Sequence, residues 1–211
     1  MTTRSKMVHT CAVCGKKSKH LVLTSSNQFG SPDLDLRPPE MMRSTMNYWI
    51  QECPHCGYVA GSVDDPTSVD EMWLKSENYI STNGITFESN LARQFYKHYL
   101  IKSFENDVSS AFNAALHAAW ACDDGDETEN AVRCRLAALE QLEKLIAEDD
   151  ENETIFVLRM DLLRRTKQFS RVIDEYSDKK FSQELLNKIR DFEIRLSEKQ
   201  DAACYTVDDC S

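Results

Sequence analysis

Four of the eight cysteines in this 211-residue sequence fall into two copies of one pattern. Cys11-Ala-Val-Cys14-Gly15 and Cys53-Pro-His-Cys56-Gly57 each place two thiols two residues apart and follow them with glycine. So short a turn points both sulfurs at one centre. The glycine tolerates positive φ, which lets backbone N–H groups turn toward the thiolates. Two such knuckles supply four sulfurs, the tetrahedral set that Zn2+ takes at about 2.3 Å. A closed four-thiolate shell leaves no position for water. The expectation is therefore one structural Zn2+ per chain, held by Cys11, Cys14, Cys53 and Cys56.

Other chemistries of paired cysteines fit less well. Knuckles of this kind also hold a single iron in rubredoxin-like proteins, but 38 residues separate these two. A redox pair would need a βαβ pattern around it, and neither pair has one. Three histidines lie nearby. His55 sits between two cysteines and should point away from the ion, and His9 and His20 are expected at the surface. The run Lys16-Lys17-Ser18-Lys19-His20 could touch phosphates. It lacks interleaved aromatic residues for stacking, so a solvated turn is the favoured reading.

No catalytic constellation is visible: the sequence has no Gly-rich phosphate loop, no HExxH and no GxSxG. His117 stands among Ala115, Ala118, Ala119 and Trp120 with no nucleophile at helical spacing, as a partly buried helix residue would. Asp123, Asp124 and Asp126, and the acids at 148–151, read as solvated runs at helix ends. Cys122 and Cys134 should pack as small apolar groups, and Cys204 and Cys210 should be free thiols. The expectation is a protein that is not an enzyme.

The elements that must position the cysteines divide at about residue 62. Residues 1–62 hold the four paired cysteines and four of the six glycines, as short strands and turns do. Residues 20–24 and 47–52 read as strands, and 33–37 as an alternating stretch with Asp33 and Asp35 on one face and two leucines on the other. Residues 61–66, ending Asp-Asp-Pro, form the joint. Beyond it the period turns helical, with helices expected over 67–80, 87–104, 108–122, 127–148, 153–165, 170–177 and 183–199. Phe156, Met160, Leu163, Phe169, Val172 and Tyr176 have the spacing of a tetratricopeptide helix pair, and residues 131–140 that of a second unit's second helix. A plain antiparallel bundle would show the same apolar stripes. The fold class is α+β: a small β-rich zinc ribbon, residues 1–62, followed by an all-α, tetratricopeptide-like region, residues 63–211.

Charge follows the same division. Residues 1–60 carry +3, and the chain as a whole carries −10, leaving −13 for residues 61–211. An acidic body repels a phosphate backbone, so any contact with nucleic acid would fall to the ribbon. The start lacks the apolar run of a secretory signal, and no eighteen apolar residues run together, so the expected compartment is the cytoplasm and no membrane partner is expected.

The two knuckles, the intervening Asp-Leu-Asp-Leu-Arg-Pro and the block Met-Asn-Tyr-Trp-Ile-Gln-Glu-Cys-Pro-His-Cys-Gly-Tyr together resemble an uncharacterised bacterial family. Its members pair an N-terminal zinc ribbon with a tetratricopeptide-like helical region. The stretch 161–169 also looks like the turn of such repeats. The resemblance implies a bacterial cytosolic origin and a bound zinc on the four cysteines; it implies no activity. Together these readings point to a protein–protein interaction module. The alternatives are a ribbon that contacts nucleic acid and an enzyme with a site between ribbon and helices.

Overall fold

A hairpin of two antiparallel strands, β1 (Thr3–Thr10) and β2 (Lys17–Ser25), opens the computed structural model, which describes residues 2–148 and 152–210. Strand β2 contains the expected 20–24. Strand β1 had no sequence signal, because its residues lack apolar alternation and most of them are exposed.

Three expectations for the next segments need correction. Residues 47–52 do not form one strand. Thr45 Oγ1 donates to Met42 O at 2.7 Å and Trp49 Nε1 donates to Thr45 Oγ1 at 2.9 Å, winding Arg43–Tyr48 into a 3-10 turn. Only β3 (Gln51–Glu52) remains extended, paired with β4 (Val59–Ala60). Residues 33–37 do not alternate either. Leu36 adopts a φ of 66°, and the Leu36 N–H bonds Asp33 O at 2.9 Å, so the segment folds back on itself. Asp33, Leu34 and Asp35 are all buried and Leu36 is exposed. The helix expected over 67–80 is reduced to a 3-10 turn, Trp73–Lys75, and one turn of α-helix, α1 (Glu77–Ile80), because Ser76 between them is extended.

The remaining helices lie where the apolar period put them: α2 (Asn90–Phe104), α3 (Val108–Asp124), α4 (Thr128–Glu148), α5 (Glu153–Arg165), α6 (Phe169–Tyr176) and α7 (Glu184–Glu198). Side-chain caps fix three starts: Ser89 accepts from the Ala92 N–H, Asp107 from Ser110 and Asn152 from Thr154. Helices α2, α3 and α4 pack in sequence, and α5 packs on α4, α6 and α7. A plain bundle and a repeat array share that order. Of the expected acid run at 148–151, residues 149–151 lie outside the described residues.

The main core fills the space between helices with Phe95, Leu116, Leu142, Leu163, Val172 and Ile189, and packing crosses residue 62. Leu34, Met46, Ile50 and Val59 belong to that same cluster. The C-terminal segment returns to the N-terminal loop, where the Leu34 N–H bonds Tyr205 O at 2.9 Å and the Val207 N–H bonds Pro32 O at 3.0 Å. A second, smaller cluster joins Cys11, Cys53, Tyr58, Val63 and Tyr79 to Ile101 of α2. The molecule is thus mixed in class, with two small antiparallel sheets followed by helices. No helix among the described residues is long and apolar enough to cross a membrane.

Candidate metal centre

The two knuckles are superposable in their hydrogen bonding. In the first, the Gly15 N–H bonds Cys11 O at 2.9 Å and the Cys11 N–H bonds Lys16 O at 3.0 Å; in the second, Gly57 bonds Cys53 O at 2.9 Å and Cys53 bonds Tyr58 O at 2.8 Å. Gly15 and Gly57 have φ values of 70° and 75°, and a Cβ at either would meet nothing. Glycine is favoured there by the backbone angle and not by any close contact. The turn delivers what it should: backbone N–H groups of Val13 and Cys14 face the Cys11 sulfur, and that of Tyr58 faces the Cys56 sulfur.

The structure brings all four sequence-predicted ligands together. Their sulfurs lie within 4.8 Å of one another, with Cys11 and Cys56 3.6 Å apart and Cys14 and Cys53 3.7 Å apart. A tetrahedron with bonds of 2.3 Å has edges of about 3.8 Å, so the cluster could hold a metal ion of that size. Burial pushes the Cys11 and Cys56 thiols above the ordinary range. A divalent cation at the centre reverses that pressure by stabilising the thiolates.

The positions of the elements follow from this cluster. The first knuckle is the turn between β1 and β2, and the second joins β3 to β4. The Ala12 N–H reaches Val63 O at 2.8 Å, tying the first knuckle to the loop after β4, and the Tyr79 hydroxyl donates to Gly57 O at 2.6 Å, tying the second to α1. His55 points away as expected, with Nε2 3.4 Å from Lys17 O. His9 and His20 are not simple surface residues. His9 Nδ1 lies 2.9 Å from Asp64 Oδ1 and 2.8 Å from Ser62 Oγ, and His20 Nε2 lies 2.7 Å from the buried Ser18 hydroxyl. Burial lowers the pKa of His20.

A second cluster escaped the sequence. Asp35 is buried and accepts from Trp120 Nε1 at 2.7 Å, with Arg165 at 3.5 Å and Arg135 at 3.9 Å. Burial, against the pull of those arginines, raises the Asp35 pKa to about 6. Asp123 and Asp124 are not merely solvated: Asp123 bonds Arg135 and, at 3.0 Å, Arg165, and Asp124 pairs with Arg37. Beside this network a cleft of about 380 Å³ opens between the 28–49 loop and α3, lined in part by Leu36, Trp49, Phe112, His117 and Trp120. His117 meets Trp49 and Phe95 edge to face and Trp120 at a tilt, with ring centroids 4.8–5.3 Å apart, and burial lowers its pKa to about 4, so it is neutral at pH 7. The alternating acids at 33–37 were the one sequence signal for this region. The arginine partners of Asp35, 100 and 130 residues on, carried none.

Cys122 and Cys134 are fully buried, as small apolar groups. Cys204 is exposed, its thiol 3.3 Å from Asp33 Oδ2, and Cys210 is buried. No family model, no curated protein and no solved structure matches the chain.

Proposed function

We propose that the protein is a non-catalytic binding module in which one Zn2+ orders the N-terminal ribbon and the cleft beside α3 receives a protein partner. What carries this reading is the connectivity. The 28–49 loop that forms one wall of the cleft lies within the spacer between the two knuckles, so an ion at the four cysteines fixes both ends of that wall. Zinc is favoured over iron by the long spacer between the knuckles. An exposed Leu36 at the rim and half-buried Trp49 within offer an apolar anchor site. The acidic helical region, tetratricopeptide-like in its spacings, favours a basic or amphipathic segment of the partner. The domain division at residue 62 and the bacterial cytosolic setting belong to the same proposal and rest on composition and on the family resemblance.

The test is a photoreactive side chain at the exposed Asn113 on the cleft rim, with one at the exposed Glu140 as control. The expected result is a discrete protein adduct from Asn113 alone, lost when Cys53→Ser removes the ion. The purified partner should then bind about tenfold more weakly to Trp49→Ala. Equal adducts from both positions, or affinity indifferent to Trp49→Ala, would refute the cleft as the docking site.

A further inference from the structure

The register of the hairpin gathers cations that the sequence scatters. β1 and β2 pair with Arg4 opposite Leu23, Lys6 opposite Leu21, Val8 opposite Lys19 and Thr10 opposite Lys17. Residues directly opposite share a face, and so do residues two apart along a strand. Arg4, Lys6, Lys17 and Lys19 therefore stand on one face of a two-stranded ribbon, about 7 Å apart along each strand. The opposite face packs inward only at its turn end, through His9, Ser18 and His20, and Ser5 and Met7 on it are exposed. All four cationic residues are exposed, and Lys16 extends the patch at the turn. Among the described residues Lys6, Lys16, Lys17 and Lys19 make no ion pair, and Arg4 contacts only the Tyr48 hydroxyl and ring.

The charge around this face is as one-sided as its register. Residues 1–32 hold five Lys and Arg and no Asp or Glu, against −10 for the whole chain, which leaves −15 for the remainder. We infer that this face of the hairpin docks on the phosphate backbone of duplex DNA, with the acidic body turned away. A two-stranded ribbon fits the major groove, whose walls are phosphates. The strands give this face Val8, Leu21 and Leu23 but no aromatic residue, and Tyr48 of the neighbouring turn meets it only at Arg4, so it lacks the row of stacking rings that single strands require. The first knuckle is the ribbon's turn, so a metal ion there holds the register that aligns the four cations. This surface is separate from the cleft beside α3, and either can fail without the other.

The test is fluorescence anisotropy of the metal-loaded full chain with a labelled 20-base-pair duplex, read against salt. Four phosphate contacts predict a log–log slope of about −3.6, which is roughly a 150-fold loss of affinity between 50 and 200 mM salt. The double variant Lys6→Gln/Lys19→Gln should reduce the slope by about 2. Both sites are exposed, and an unchanged metal content and circular dichroism spectrum will show that the fold is kept. Lys75→Gln, an exposed lysine of the acidic body, should leave the slope unchanged. Absence of binding at 50 mM salt, or a slope indifferent to the double variant, overturns the inference. So does tighter binding of a single strand of equal length. Displacement of the duplex by polyglutamate at equal charge would assign the face to an acidic polypeptide instead.

Discussion

Trp120 on α3 donates its indole N–H to the Asp35 carboxylate at 2.7 Å, joining residues 85 positions apart. That bond ties the loop between the knuckles to the middle of the helical core. It also fixes where Asp35 can balance Arg135 and Arg165, whose side chains are almost as deeply buried.

Removing the carboxylate should therefore be costly. Asp35→Ala leaves the Trp120 N–H without an acceptor and two buried guanidinium groups short of a counter-charge. Breaking a buried ionic cluster by deleting one partner costs about 3–5 kcal/mol. Asp35→Asn keeps an acceptor oxygen and should cost less. Urea unfolding midpoints will rank the two, and equal small losses would show that the cluster adds little to stability.

A proton should be stored elsewhere in the core. Glu193 is fully buried, and its partner Arg164 Nε lies 2.5 Å away. Arg164 also binds Asp161 at 2.7 Å, so one guanidinium serves two carboxyl groups. Glu193 Oε1 and Asp161 Oδ2 are buried with no donor among the described residues, and a proton between them satisfies both. Burial, reinforced by the charge of Asp161, raises the Glu193 pKa from 4.5 to about 8. The folded state then keeps a proton that the unfolded chain releases. The stability so gained is complete below pH 4.5 and is lost as pH rises toward about 8. Asp35, raised from 3.8 to about 6, acts in the same direction over a lower window. Thermal midpoints should therefore fall between pH 6.5 and 8, and Glu193→Gln should flatten that fall. A wild-type profile already flat over this range would disprove the stored proton.

How far these features were legible depends on the range over which their causes act. The knuckles are local: two residues between thiols and a glycine at φ near 70° are written within five positions each. The helices from α2 to α7 are legible because each repeats an apolar face every three or four residues. Strand β1 was not, because a strand exposed on most of its length needs no alternation, and its existence depends on pairing with β2. Residues 33–37 misled for the opposite reason. The alternation is present, but Asp33 binds Arg43 at 2.5 Å and Asp35 binds Trp120, and burying both acids forces the turn at Leu36. Arg43 is ten residues from Asp33, but nothing local to Asp35 specifies Trp120.

Metal content is the most direct check on the knuckles. Protein purified without added metal should carry one equivalent of zinc and little iron by elemental analysis, and Cys53→Ser should abolish it. Structural zinc supplies roughly 10–16 kcal/mol in finger peptides, far more than two short sheets can replace. A red, iron-loaded protein from native cells would contradict the assignment of zinc.

Chelation of the wild-type chain asks how the two compositional regions depend on each other. Helices α4 to α7 give Leu139, Leu142, Leu163, Val172 and Ile189 to the main core, and no knuckle cysteine belongs to that cluster, so these apolar faces should remain covered when the ion leaves. Leu34, Met46, Ile50 and Val59 are in a different position. They reach the same core from segments whose ends the cysteines hold. Loss of the ion should release these four side chains first, exposing α3 around Trp120. The expected outcome is a helical circular dichroism signal that largely survives chelation, a lower thermal midpoint, and a Trp fluorescence maximum shifted to the red. Collapse of the helical signal in step with metal release would show instead that the knuckles and the helices form one cooperative unit.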